Sequence, residues 1–488
     1  MGLILCKQLL IKPIVNMKKA LFLFAFAAFS VAMQAQTSRK FTVNLTPDGA
    51  ANMQVFLPEQ PSGRAIVGCP GGGYSHLSMQ NEGTDWVEYF NKQGIAYCVL
   101  TYRMPKGDRS IPMSDAQNAI RTVRDSAEAW HVSPYDVGIM GFSAGGHLAS
   151  TTATHAPQES RPDFQILFYP VISMDERVTH KGSVVGFLGD KRGDEKLVHE
   201  FSNDKQVHKH QTPPAIIIMA GDDRAVPPMT NGLPYYMALR KAGIPAAMHI
   251  YPTGGHGFGF RTSFAYHDLM VDELTTWLEN LKLPKSGAHR VACIGNSITD
   301  GYGIDMVDTD GYPAQLQRML GRDYCVRNYG VSARTMLNSG DRPYMKEQAW
   351  ADAKAFCPDI VVIKLGTNDS KPRNWTGNDK DFRASMQQMI DELKALPSKP
   401  LIYLCNPIAA DTKGDLNEKG MIIDSTIVNG VIPAVAKVAK KNKLDVIDLR
   451  PVVKIKTDEM QRDGIHPTAK GAKKIAEIVA EAIKVKGN

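Results

Sequence analysis

The sequence predicts an α/β protein made of two successive parallel sheets covered by helices, and three observations carry that prediction. Short apolar runs of four to six residues alternate with longer stretches of helical period through most of the 488-residue chain. A Leu-Pro-Lys-Ser-Gly stretch at 283–287 interrupts the alternation, which then resumes. The chain is also too long for one ordinary core, and no internal repeat relates its halves, so at least two unlike domains follow.

The N-terminus stands apart. From Met17 it reads Lys18-Lys19, an apolar run over residues 20–32, then Met33-Gln34-Ala35-Gln36. Residues 1–36 thus have the pattern of a secretory signal, with either Met1 or Met17 as the start. A run of 13 residues is too short for a permanent membrane span, and Cys6 precedes it where a lipid anchor would need a cysteine after it. Removing the signal takes away four lysines and lowers the net charge from +7 to +3, which gives no case for nucleic acid or an anionic membrane as partner. The expected location is the periplasm or the exterior.

In the first half, spanning 41–282, strands are expected at 65–69, 95–100, 137–140, 165–168, 215–220 and 247–250. Helices are expected between them at 82–94, 115–130, 145–154, 230–243 and 266–281. The segment 283–288 reads as a short polar linker. The second half, 289–488, is expected to place strands at 291–294, 360–365, 401–405 and 445–449 and to end in a helix at 469–485. Six cysteines (Cys69, Cys98, Cys293, Cys325, Cys357, Cys405) are scattered singly beside apolar runs, so they read as buried thiols and not as a disulfide framework. The pair His208 and His210 lacks a third ligand at metal spacing. Neither a metal nor a cofactor is expected.

Chemistry enters at Gly141-Phe142-Ser143-Ala144-Gly145, which joins a strand to a helix. Such a turn lifts a serine hydroxyl clear of the sheet, and the Ala144 N–H at the helix start can stabilise an oxyanion. A serine is a weak nucleophile at neutral pH and needs a base and an orienting acid. His256, in Gly254-Gly255-His256-Gly257-Phe258, and Asp223, preferred over its neighbour Asp222, both follow apolar strands and so fall at strand carboxyl ends. The triplet Gly71-Gly72-Gly73 after the first of these strands offers backbone donors at Gly72 and Gly73.

With Cys69-Pro70-Gly71-Gly72-Gly73-Tyr74, Glu82-Gly83, Tyr102-Arg103 and the two motifs around Ser143 and His256, residues 41–282 resemble the α/β-hydrolase superfamily, in particular carbohydrate esterases of the acetylxylan and feruloyl type. Pro70 stands where a histidine usually leads the glycine triplet in hormone-sensitive-lipase relatives.

A second set of motifs follows: Gly295-Asn296-Ser297-Ile298, Asn328-Tyr329-Gly330-Val331-Ser332, Gly366-Thr367-Asn368-Asp369 and Asp463-Gly464-Ile465-His466-Pro467. Ser297 lies just past a strand, and Asp463 and His466 on one turn can supply acid and base together. The Ser297 N–H, the Gly330 N–H and the Asn368 amide are expected to surround an oxyanion. Asp300, Lys364 and Asp369 read as loop-shaping residues or solvated surface, with substrate contact as the alternative.

In this order the four blocks resemble the SGNH, or GDSL-type, hydrolases, which implies a smaller, flavodoxin-like three-layer domain. The departure is Asn296 where Gly-Asp-Ser is the commoner form. Because Asp463 is the orienting acid, loss of the charge at Asn296 is expected to leave activity intact.

Together the resemblances imply an exported serine carbohydrate esterase with two sites, removing acetyl groups from polysaccharides such as xylan, with feruloyl groups as a second candidate. The competing readings are one inactive, glycan-holding domain, or a prolyl-peptidase or lipase. A peptidase is disfavoured by the absence of a gating domain ahead of the first motif, and a lipase by the lack of a long apolar lid.

Overall fold

The computed structural model describes residues 39–377, 379–411 and 421–486, so the expected secretory signal lies outside the described residues. Two sheets form. The first has eight strands: β1 (Arg39–Asn44), β2 (Asn52–Leu57), β3 (Ala65–Cys69), β4 (Ala96–Thr101), β5 (Val137–Phe142), β6 (Phe164–Phe168), β7 (Ala215–Ala220) and β8 (Ala246–Tyr251). Their spatial order is β1-β2-β4-β3-β5-β6-β7-β8. From β4 to β8 all pairings are parallel, while β1 and β2 add an antiparallel edge. The parallel strands read as nearly unbroken apolar runs because helices cover both their faces. The β1–β2 edge was not foreseen, since neither strand carries such a run.

The second sheet has five parallel strands: β9 (His289–Gly295), β10 (Tyr324–Gly330), β11 (Ile360–Lys364), β12 (Leu401–Asn406) and β13 (Asp445–Asp448). Their order, β10-β9-β11-β12-β13, is the flavodoxin-like one. Strand side chains alternate between faces. Ala292, Ile294, Val361 and Ile363 enter one apolar cluster, whereas Val291, Cys293, Ile360 and Val362 enter another on the opposite face. Three layers result, as the resemblance implies. Strand β10 carries no apolar run that would mark it, since only Cys325 and Tyr329 in it are buried apolar residues.

Helices fall near their expected places, at Val87–Lys92, Ser110–Asp125, Ser143–His155, Gly232–Lys241, His267–Asn280 and Ala469–Lys486. The helix read at 115–130 instead starts at Ser110 and stops at Asp125, with Pro112 tolerated in its first turn.

The segment 283–288 is anchored on both sides. Ser133 donates to the Pro284 carbonyl (2.8 Å), Arg322 Nε donates to the Leu283 carbonyl (2.8 Å) and the Lys285 N–H donates to the Arg322 carbonyl (2.9 Å). Further contacts join the halves: Tyr329 donates to Gln158 Oε1 (3.0 Å), and Arg327 approaches Asp163 (3.8 Å). All six described cysteines are free, five of them buried and Cys357 half-buried.

Candidate active sites

The first site forms at the carboxyl ends of the adjacent parallel strands β3, β5, β6, β7 and β8. Register pairs Cys69 at the end of β3 with Gly141 near the end of β5, so the glycine triplet runs beside Ser143. Close backbone approach explains the small residues of this turn: a Cβ on Gly145 would lie 2.1 Å from the Cys69 carbonyl oxygen, and one on Gly141 would lie 2.2 Å from that of Gly145. Ser143 itself takes a left-handed φ of 53°, a strained conformation that aims its hydroxyl outward from the sheet.

His256 Nε2 lies 2.8 Å from Ser143 Oγ, and its Nδ1 lies 2.7 Å from Asp223 Oδ2. The other Asp223 oxygen accepts the N–H groups of Ala225 and Val226, both at 2.9 Å, which fixes the carboxylate. Asp222 is exposed and accepts the Gly255 N–H (2.8 Å), so it shapes the His256 loop without reaching the imidazole. The N–H groups of Gly72 and Gly73 meet no acceptor among the described residues, and Ala144 is the second residue of a helix whose first N–H groups lack intrahelical partners.

Three residues take supporting places here to which the sequence assigns no role: Glu82, of the Glu82-Gly83 match, Tyr169 and His180. Glu82, buried, accepts the Gly71 N–H (2.9 Å) with one oxygen and the Tyr169 hydroxyl (2.8 Å) with the other. Tyr169 in turn accepts the Gly259 N–H (3.0 Å), and its ring packs edge-on against His256 at 4.8 Å between centroids. Burial raises the Glu82 carboxyl above its ordinary value, against the lowering effect of those two hydrogen bonds. His180 lies beside Gly73, where a Cβ would come within 3.2 Å of its Cε1. Its Nδ1 accepts the Ser183 N–H (3.2 Å), which leaves the proton on Nε2. Nothing near His180 in the sequence marks it; only folding brings it to the glycine triplet.

The second site forms at the ends of β10, β9 and β11, whose last residues Gly330, Gly295 and Lys364 stand in register. Ser297 opens a one-turn helix (Ser297–Asp300) capped by Asn296, whose Oδ1 accepts the Ile298 N–H (3.3 Å). His466 Nε2 lies 2.7 Å from Ser297 Oγ, and its Nδ1 lies 2.5 Å from Asp463 Oδ2. The second Asp463 oxygen accepts the N–H groups of Ile465 (2.9 Å) and His466 (3.0 Å). Burial pushes the Asp463 carboxyl up, but these hydrogen bonds outweigh it and hold the group below its usual value.

Gly330 does not stand as expected. Its N–H is already given to Asn328 Oδ1 (2.8 Å), and a Cβ there would lie 2.2 Å from the Asp300 nitrogen. Glycine at this position serves the close packing of β10 against the serine turn. Further along the same loop, Ala333 holds a left-handed φ of 67°, and its N–H meets no acceptor among the described residues. Asn368 reaches this loop, donating one amide hydrogen to the Arg334 carbonyl (3.1 Å).

Lys364 and Asp369 are fully buried and Asp300 nearly so, which removes the solvated-surface reading, and their bonds to loop groups favour loop shaping over substrate contact. Asp369 accepts the N–H groups of Met336 (3.1 Å) and Leu337 (2.8 Å). Burial raises its carboxyl to about 6. Lys364 Nζ lies 3.3 Å from both Asn296 Oδ1 and Thr367 Oγ1, and burial lowers it to about 7.

A serine held by an imidazole that is itself oriented by a carboxylate can attack a carbonyl carbon, and both constellations have that form. The GDSL-like lipase/acylhydrolase family matches residues 293–474, and the alpha/beta hydrolase fold matches residues 67–260. The acetylxylan esterase of Xylanibacter ruminicola is 54% identical over 487 residues, covering 96% of this chain and 100% of that protein. Endo-1,4-beta-xylanase B of Butyrivibrio fibrisolvens is 36% identical over 203 residues, 38% of this chain and 31% of that one. Among solved structures, the acetyl ester-xyloside bifunctional hydrolase from Caldicellulosiruptor lactoaceticus aligns with a TM-score of 0.46 and 31% identity over 50% of this chain and 97% of its own. Likeness that runs nearly from end to end, through both halves, carries the conclusion: the chain belongs to the family of the Xylanibacter ruminicola esterase, serine ester hydrolases in which an α/β-hydrolase domain precedes a GDSL-type domain.

Proposed function

We propose that the chain is an exported two-site esterase that removes acetyl groups from an acetylated polysaccharide such as xylan, each domain working through its own acyl-enzyme. The observation that carries the reading is the pair of complete serine–imidazole–carboxylate contacts, with serine-to-imidazole distances of 2.8 Å at Ser143 and 2.7 Å at Ser297. Export rests on the pattern of residues 17–36, and the acetylated glycan on what the Xylanibacter relative is named for.

In each site the serine Oγ attacks the ester carbonyl while the imidazole Nε2 takes its proton. Asp223 or Asp463 holds the ring in the tautomer that presents a bare Nε2 to the hydroxyl and stabilises the imidazolium that forms. The Ala144, Gly72 and Gly73 N–H groups receive the developing oxyanion in the first site. In the second, the Ser297 N–H, the free Asn368 amide hydrogen and the Ala333 N–H do so, with Ala333 taking the part expected of Gly330. The tetrahedral intermediate collapses as its C–O bond breaks and the imidazolium protonates the departing sugar oxygen, which leaves as a hydroxyl. Water, deprotonated by the same imidazole, then releases the acid and frees the serine.

Ser143→Ala, Ser297→Ala and the double variant, assayed for acetate release from acetylated xylo-oligosaccharides, test this. Each single variant should keep part of the activity and the double variant none. A single variant as inactive as the double one would sink the two-site reading, and hydroxycinnamate release by either would extend it to feruloyl esters.

A further inference from the structure

We propose that His210, a residue of the first domain, is a positioning residue for the second site, holding the Ser297 turn and the neighbouring donor loop in place across the domain boundary. This deepens the two-site reading and rests on it. His210 precedes β7 in a loop of the first half, takes a left-handed φ of 63°, and has only 9% of its side chain exposed. Its Nδ1 lies 2.7 Å from Asp308 Oδ1, and its Nε2 lies 2.9 Å from the Asp300 carbonyl oxygen and 3.1 Å from Asp300 Oδ1. Asp308 and Asp300 both belong to the second domain.

Asp300 is the last residue of the one-turn helix that Ser297 opens. One of its oxygens takes the ammonium of Lys209 (2.6 Å) together with His210, and the other accepts the Ser332 hydroxyl. Ser332 adjoins Ala333, and the Arg334 carbonyl that follows accepts the Asn368 amide. The line His210–Asp300–Ser332 therefore ties the nucleophile's turn and the donor loop to a single imidazole.

Both ring nitrogens face carboxylate oxygens, so the imidazole is cationic; a neutral ring would turn a lone pair toward one of them. Burial alone would lower the value of His210, yet the hydrogen bonds to Asp300 and Asp308 raise it to about 9. Two cations, Lys209 and His210, then balance two anions, Asp300 and Asp308, and Asn328 Nδ2 stands 3.4 Å away as the neutral neighbour. A balanced cluster whose centre, His210 and Asp300, is buried sets geometry because removing the imidazole strands the Asp300 charge. Lys209 grips the same carboxylate of the serine turn, whereas the contact of Tyr329 with Gln158 does not touch that turn.

The test uses full-length His210→Gly in two backgrounds. Glycine accepts the left-handed backbone and leaves an imidazole-sized gap between Asp300 and Asp308. On p-nitrophenyl acetate, Ser143→Ala/His210→Gly should show kcat about 10- to 100-fold below Ser143→Ala with KM little changed, because misplacement of the reacting groups is what is lost. Added imidazole should restore much of that kcat. Ser297→Ala/His210→Gly should match Ser297→Ala. Unchanged kcat in the first pair overturns the inference, and so does a loss that imidazole fails to reverse or that the first site shares. Failure of the two-site reading is seen earlier and separately, as a Ser143→Ala parent without Ser297-dependent turnover.

Discussion

At Ser143 the acid and the base sit 33 residues apart in sequence, whereas at Ser297 they sit three apart on one turn. Their supports differ in the reverse sense. The long-range pair of the first site is braced from within its own domain, where Glu82 clasps the glycine triplet and Tyr169, and Tyr169 carries the brace to the His256 loop. The compact pair of the second site needs little help for its base, but its nucleophile turn and donor loop lean on a histidine from the neighbouring domain. The same serine–imidazole–carboxylate contact thus sets no single pattern of reinforcement; each site is stiffened where its own connectivity leaves it loose.

The sharpest way to break the comparison is at the acid. In the Ser297→Ala background, Asp223→Asn should lower kcat about 10,000-fold by allowing the wrong imidazole tautomer, while Asp222→Asn, which loses only a loop contact, should cost far less. Steady-state acetate release by the pair checks this, and equal losses would show that the two carboxylates share the role.

Next comes Glu82→Ala, which leaves the Gly71 N–H and the Tyr169 hydroxyl without their acceptor at a cost of about 1–3 kcal/mol each. Urea unfolding should register that loss, and kcat should fall at Ser143 alone. A matching fall at Ser297 would erase the distinction between internal and borrowed support.

The smallest effect concerns Lys364, which lies behind Ser297 with Asn296 where a carboxylate would pair with it. Its value is about 7 when folded against 10.5 for the free group, so between those pH values the unfolded chain binds one more proton. Stability contributed by this group therefore rises with pH across that window, by at most about 1.4 kcal/mol per pH unit. His210, raised to about 9 from 6.5, contributes the opposite slope between those two values. Asn296→Asp should give Lys364 a counterion and flatten its part of the rise; denaturant midpoints at pH 7, 8 and 9 for variant and parent isolate it. Parallel curves would mean that the ammonium finds its balance elsewhere.

What could be read from residues alone follows a physical line. Serine turns, histidine loops and the Asp463–His466 turn are local, so their chemistry is written in consecutive residues, and the parallel strands announce themselves as apolar runs. Support is not local. Glu82 bonds Tyr169, His210 bonds Asp300 and Asp308, and His180 lies beside Gly73, all far apart along the chain with no spacing rule to link them. Gly330 drew attention because glycine exposes its N–H, yet its lack of a side chain serves packing against Asp300. Ala333 passed unseen because alanine advertises nothing; its left-handed backbone is visible only in three dimensions.

The anchored segment at Pro284 bears on how such a chain can be dissected. Cutting there looks natural, since proline, serine and glycine mark it as a join. A second half released by that cut would lose the Ser133 bond to the Pro284 carbonyl and, with the whole first half, Lys209 and His210. An inert fragment would then report the missing neighbour and say nothing against Ser297 as a nucleophile in the intact chain.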